Sequence, residues 1–138
     1  MRAHAPSFAA RPLAGRTLEV GEDGDFVIAE WQDDGSMPGQ LIAPPHVHID
    51  DDEAWYVLEG RLAFQVGDEV IDAPAGTAVY GLHGLAHTYW NPTSAPARYL
   101  LVMRPRTARL IEVLHDGIGR DRQALEALYR AHRMRLLL

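Results

Sequence analysis

The stretch Gly39-Gln40-Leu41-Ile42-Ala43-Pro44-Pro45-His46-Val47-His48-Ile49-Asp50-Asp51-Asp52-Glu53-Ala54-Trp55-Tyr56-Val57-Leu58-Glu59-Gly60 decides how this chain is read. Along an extended strand the side chains alternate between faces, so residues two apart point the same way. His46 and His48 therefore present two imidazoles on one face. Ile49–Asp52 reads as a turn, after which Glu53 opens another strand directed at the same interior. Further along, His87 comes from a distant strand and closes the set. Three neutral imidazoles and one carboxylate suit Fe, Mn, Ni, Cu or Zn and leave positions open for water or substrate. The chain has 7 His and no Cys. Any metal must thus be held by imidazole and carboxylate, and disulfides and thiolate nucleophiles are excluded.

Outward from this stretch, short β-like runs alternate with Gly, Pro and Asp turns. Expected strands are Thr17–Val20, Asp25–Gln32, Gln40–Ile42, Val47–Ile49, Ala54–Leu58, Arg61–Val66, Glu69–Ile71, Ala78–Tyr80, His87–Trp90 and Arg98–Met103. This pattern predicts a closed barrel or sandwich. After Pro105 the period changes, and Thr107–His115 and Asp121–Arg133 read as helices. Asp121 is placed to cap the second, whose stripe Leu125, Leu128, Tyr129, His132 is expected to pack on the outside of the barrel rather than in a site. The organisation is an N-terminal arm (1–15), a barrel (16–104) and a C-terminal helical tail (105–138).

The pattern Gly39-x6-His46-x-His48-x4-Glu53-x6-Gly60 resembles the first motif of the cupin superfamily, and Gly84-x2-His87-x3-Asn91 resembles the end of its second. The intervening Gly67-Asp68-Glu69-Val70 and Pro74-Ala75-Gly76 resemble the strands between them. Two departures touch no ligand position: six residues rather than five precede His46, and Leu82 stands where the family has proline. The resemblance covers Gly39 to Met103. It implies an all-β, double-stranded β-helix (a jelly-roll barrel), often a homodimer, with His46, His48, Glu53 and His87 holding one divalent transition metal, Fe or Mn preferred.

The remaining polar residues have plainer readings. His4, His115 and His132 are expected at the surface or in packing, and His83 in an exposed turn. Asp50, Asp51 and Asp52 read as a solvated turn. Counting by twos puts Trp55 on the face of Glu53 and Tyr89 on that of His87, so both are expected in the substrate pocket, together with Tyr80.

The formal net charge is −6, unevenly spread. Residues 1–103 carry 5 Arg against 15 acids, whereas 104–138 carry 8 Arg against 4. The tail arginines are expected on solvated helix faces, pairing with the acidic body. No helix-turn-helix or interleaved aromatic patch accompanies them, so nucleic acid is not an expected partner. No apolar run reaches the roughly 20 residues that span a bilayer. Met1–Gly15 lacks a continuous apolar core and reads as a disordered or strand-swapping arm, not a secretory signal. With no cysteine, the cytoplasm is the expected location.

Similarity to the quercetinase-like small cupins implies a dioxygenase-like oxidoreductase acting on an enol- or phenol-type small molecule, with Glu53 as both ligand and base. The same four ligands also serve non-redox isomerases, epimerases and lyases, and a non-catalytic ligand-binding module is the third expectation.

Overall fold

The computed structural model describes residues 8–117 and 121–137, which leaves His4 outside. Ten strands and two helices follow in the order β1 (Thr17–Leu18), β2 (Val27–Asp33), β3 (Leu41–His48), β4 (Glu53–Glu59), β5 (Arg61–Val66), β6 (Glu69–Pro74), β7 (Ala78–Gly81), β8 (His87–Trp90), β9 (Ala97–Met103), α1 (Pro105–His115), α2 (Arg122–Ala131) and β10 (Met134–Leu136). The strands form two antiparallel sheets, ordered β1-β2-β9-β4-β7 and β10-β3-β8-β5-β6. This is the double-stranded β-helix.

Alternation sets which side chains fill it. On β9, Ala97, Tyr99, Leu101 and Met103 are buried while the residues between them are half-buried. Val27, Ala29, Trp55 and Val57 continue that inner face, and Leu62, Phe64 and Tyr89 meet it from the other sheet. Each large apolar side chain buried this way contributes about 1.5–3 kcal/mol.

Gly60 links β4 to β5, and so carries the chain from one sheet to the other. Its φ is +76°, and a Cβ there would run into the Pro96 carbonyl and Ala97 Cα. Only glycine fits. Asn91, fully buried, ties down the loop after β8: its amide donates to Asp33 and to the Ala95 carbonyl, and its Oδ1 accepts from Thr93.

Three features differ from the sequence reading. Gln40–Ile42 and Val47–Ile49 are parts of one strand, β3, which runs through Pro44 and Pro45. Proline cannot donate to a ladder, and the strand accommodates the pair with register shifts between Leu41 and Ala43 and between Ala43 and His46. The extra residue before His46 falls in this bulged stretch. The first helix begins at Pro105, where the missing N–H costs nothing in the opening turn. Strand β10 has no counterpart among the expected strands. It pairs with β3 in the register Met134↔His48, Arg135↔Val47, Leu136↔His46.

Asp121 caps α2 as expected, accepting from the Ala124 N–H at 2.7 Å. No helix among the described residues is long and apolar enough to cross a membrane.

Candidate metal centre

The bulges in β3 bring His46 directly opposite His87 on β8, with ring centroids 4.4 Å apart. His48 lies two residues on, on the same face. Glu53 approaches from β4, in the other sheet, so the two sheets clasp the cluster between them. It sits opposite Gly81 on β7, where a Cβ would press on both Glu53 and Trp55. All four side chains are buried.

Each residue offers one ligand atom, and these atoms all lie within 4.8 Å of one another. Nε2 of His46 is 3.2 Å from Nε2 of His48. Oε1 of Glu53 is 2.9 Å from Nε2 of His48 and 2.6 Å from Nε2 of His87. An octahedron with bonds of about 2.1 Å has edges of about 3.0 Å, so these spacings fit a single divalent ion. The tautomer of His46 fits too. Its Nδ1 lies 2.7 Å from the Pro44 carbonyl, which can only accept, so Nδ1 carries the proton and Nε2 keeps a lone pair for a metal.

Electrostatics hold two of the four donors, His46 and Glu53, in their ligating forms; His48 and His87 would give up the Nε2 protons they share with Glu53 when an ion enters. Burial, reinforced by the nearness of His87, lowers the His46 pKa to about 4 and keeps that imidazole neutral. Burial pushes the Glu53 carboxyl up, but hydrogen bonds from His48 and His87 outweigh it and hold the group at about 2. The cluster fits a divalent metal site.

A cavity of about 440 Å³ reaches His46 and Glu53. Trp55 and Tyr89 line it, with Trp31, Tyr99 and Leu101. The Tyr89 and Tyr99 hydroxyls pair at 3.0 Å. Burial pushes both phenols up, Tyr99 to about 12, so neither serves as an anionic base near neutrality.

Tyr80 is not in the pocket. It pairs with Ala54 on the outer face of the sheet, is 59% exposed, and donates to Asp52. The inward pairs of that ladder are Glu53↔Gly81 and Trp55↔Val79. A two-residue period is blind to which face a strand turns inward until its register is known.

Two further expectations are corrected by the tail. Tyr129 of α2 is buried and meets His46 edge-on, with centroids 5.9 Å apart; it lines the cavity instead of packing outside. Thr107, Leu110, Ile111, Leu114 and His115 of α1 line it as well. The aspartates are not simply a solvated turn either. Asp51 is buried and takes two hydrogen bonds from Arg106 of α1, which hold its carboxyl below the usual range, while Asp50 pairs with Arg133. Asp52 accepts from Tyr80 and from the His83 N–H, and its Oδ1 lies 2.6 Å from Nδ1 of the exposed His83. The surplus of arginine in 104–138 was the available signal for the tail's docking, although charge alone names no partners. His132 stays outside the cavity, bonding the Leu128 carbonyl.

Residues 36–103 match the Cupin domain family model. No curated protein matches the sequence. Among solved structures, TT1209 from Thermus thermophilus is 29% identical with a TM-score of 0.52, over 62% of this chain and 78% of that one. A conserved protein with a double-stranded β-helix domain from Klebsiella pneumoniae is 29% identical with a TM-score of 0.50, over 59% and 68%. A sugar phosphate isomerase of the cupin superfamily from Silicibacter pomeroyi is 26% identical with a TM-score of 0.53, over 67% and 60%.

Proposed function

Since the chain belongs to the cupin superfamily, we propose that it is a metal-dependent, dioxygenase-like oxidoreductase acting on an enol- or phenol-type small molecule. His46, His48, His87 and Glu53 would hold the ion, Fe or Mn by preference. Bound there, such an ion supplies Lewis-acid polarisation and redox chemistry.

The observation that carries this reading is the lining of the cavity. Trp31, Trp55, Tyr89, Tyr99 and Tyr129 form aromatic walls beside the ligands, and no arginine is among the lining residues. The chain has no lysine at all. A phosphorylated sugar or a small dianion would find few hydrogen-bond partners and no arginine or lysine on the wall. A flat apolar substrate finds surface to bury. Within this pocket Glu53 is ionised near neutral pH and, as the proposed base, would take the proton of an enol or phenol hydroxyl once released from the His48 and His87 hydrogen bonds that hold its pKa at about 2. The Tyr89–Tyr99 pair stays protonated and orients the ring system, while α1 and α2 exclude water.

Metal content measured by plasma mass spectrometry, in untagged protein beside a His46→Ala/His48→Ala variant, tests the site. Near one equivalent in the parent, lost in the variant, is expected; a parent that takes up no transition metal would sink the reading. The iron-loaded protein is then expected to consume oxygen with some member of a panel of phenols, enols and diketones. Silence across the panel counts against oxygenase chemistry.

A second reading, a non-redox isomerase, epimerase or lyase, draws on the likeness to the Silicibacter sugar phosphate isomerase. Full activity with zinc in place of iron would favour it. Ligand-induced stabilisation without any product would favour a binding module. The exposed Tyr56 and Tyr80 on the outer face of β4 and β7 support a homodimer, which light scattering would test.

A further inference from the structure

Among the described residues, two buried polar groups on the cavity wall have no hydrogen-bond partner and no role in the metal cluster: Nε1 of Trp55 and Oγ1 of Thr107. Both side chains are almost wholly buried, at 2% and 3% exposure. The Trp55 indole N–H lies near enough to the Tyr89 hydroxyl to donate to its anion, yet it makes no hydrogen bond of acceptable geometry in this structure. An orphaned group of this kind costs stability, commonly about 1–3 kcal/mol, unless something else satisfies it.

The two come from different parts of the fold. Trp55 projects from β4, two residues from Glu53, with its ring 5.3 Å from that of His87. Thr107 stands in the first turn of α1, on the wall that the tail adds to the barrel. An indole N–H only donates, and a threonine hydroxyl with no acceptor nearby has its proton free to donate. The rest of the lining is largely apolar and aromatic.

We propose that Trp55 and Thr107 are the polar anchors of the ligand site, and that the ligand is a neutral, flat, apolar molecule bearing carbonyl-type oxygen acceptors. The inference rests on the cavity being the substrate pocket, as the proposed function holds. It adds that the helical tail selects the substrate, through the Thr107 hydroxyl. The tail is then a specificity wall rather than a cover.

The test uses zinc-loaded full-length protein, in which oxygen chemistry is silent, and compares calorimetric binding of 1-indanone with that of indane. The two differ by a carbonyl oxygen. The parent is expected to prefer 1-indanone, and Thr107→Val to cut that preference by about threefold to tenfold, the worth of one hydrogen bond, without weakening indane. Trp55→Phe is expected to act likewise. Without ligand, Thr107→Val is expected to melt no lower than the parent, because a methyl replaces an unsatisfied hydroxyl. A hydroxyl needed only for packing would show the reverse, a lower melting temperature with the preference intact. If the parent binds both compounds but Thr107→Val leaves the preference unchanged, the anchors are wrong and the cavity reading stands. If the parent binds neither, the cavity reading falls and the anchors with it.

Discussion

Arg106 grips Asp51 with one edge of its guanidinium, Nη2 donating to Oδ1 at 2.8 Å and Nε to Oδ2. Asp51 belongs to the turn between His48 and Glu53, and Arg106 to the first turn of α1. The contact therefore fastens the tail to the connection between β3 and β4, the two strands that carry three of the four candidate ligands. A paired arrangement of this kind fixes direction as well as distance.

Asp51→Ala should consequently cost more than its neighbour. Asp51 is buried, so its loss strands Arg106 and leaves the tail loosely docked; urea denaturation is expected to show about 1–3 kcal/mol lost. The Asp50–Arg133 pair is about half exposed on both sides, and Asp50→Ala is expected to change stability by less than about 1 kcal/mol. Equal effects at the two positions would contradict the clamp.

Strand β10 gives a second prediction. Met134 is 1% exposed and stands opposite His48. Met134→Ala opens a void beneath the ligand strand and is expected to cost about 2–4 kcal/mol in denaturant unfolding. Zinc uptake should weaken in parallel, since β10 backs His46 and His48. Unchanged zinc affinity would show that β3 holds its histidines without the tail.

The Tyr89–Tyr99 pair sets the alkaline limit. Burial raises Tyr99 from 10.0 to about 12 and Tyr89 well above its usual value. For a phenol this means that the fold favours the neutral form. The stabilisation is complete below pH 10 and is lost as the pH rises from there through the folded value, at up to about 1.4 kcal/mol per pH unit for each group. Phenolate absorbance should therefore show two tyrosines that stay protonated at pH 11 and ionise only as the protein unfolds. Smooth titration of both near pH 10 in the folded protein would contradict their burial.

Gly60 and Gly76 separate strain from collision. Both have positive φ, but a Cβ at Gly76 meets nothing within 4 Å, whereas one at Gly60 meets backbone. Gly76→Ala is expected to cost about 1–2 kcal/mol from conformation alone. Gly60→Ala should cost about 2–4 kcal/mol, because the Pro96 segment must also move. Thermal melts of the two variants decide it.

His46 and His48 were legible as a pair because alternation along a strand is local: two histidines two positions apart face together in any extended chain, and the motif resemblance added Glu53 and His87. Gly60 and Asn91 stood out only through the motif resemblance; the backbone demand that each meets came from the structure. Trp55 and Tyr89 followed by the same counting. Tyr80 did not, because parity along β7 becomes a direction only once its register against β4 is known. The bulges at Pro44 and Pro45, which set His46 across from His87, were likewise invisible to a fixed period.

What the sequence by itself determined through short-range backbone geometry was the alternating strands, their turns and the shared face of His46 and His48; the barrel type and the completion of the donor set by Glu53 and His87 came from the likeness to the cupin motifs. The tertiary structure alone decided what the pocket is. Tyr129, Thr107 and Met134 lie far along the chain from the ligands, and the α2 stripe to which Tyr129 belongs would suit the outside of a barrel as well as its mouth. Which of the two it covers depends on long-range fit: Arg106 reaching Asp51, and three residues of β10 completing a ladder on β3. No local pattern encodes that choice, because its energy comes from contacts between segments far apart in the sequence.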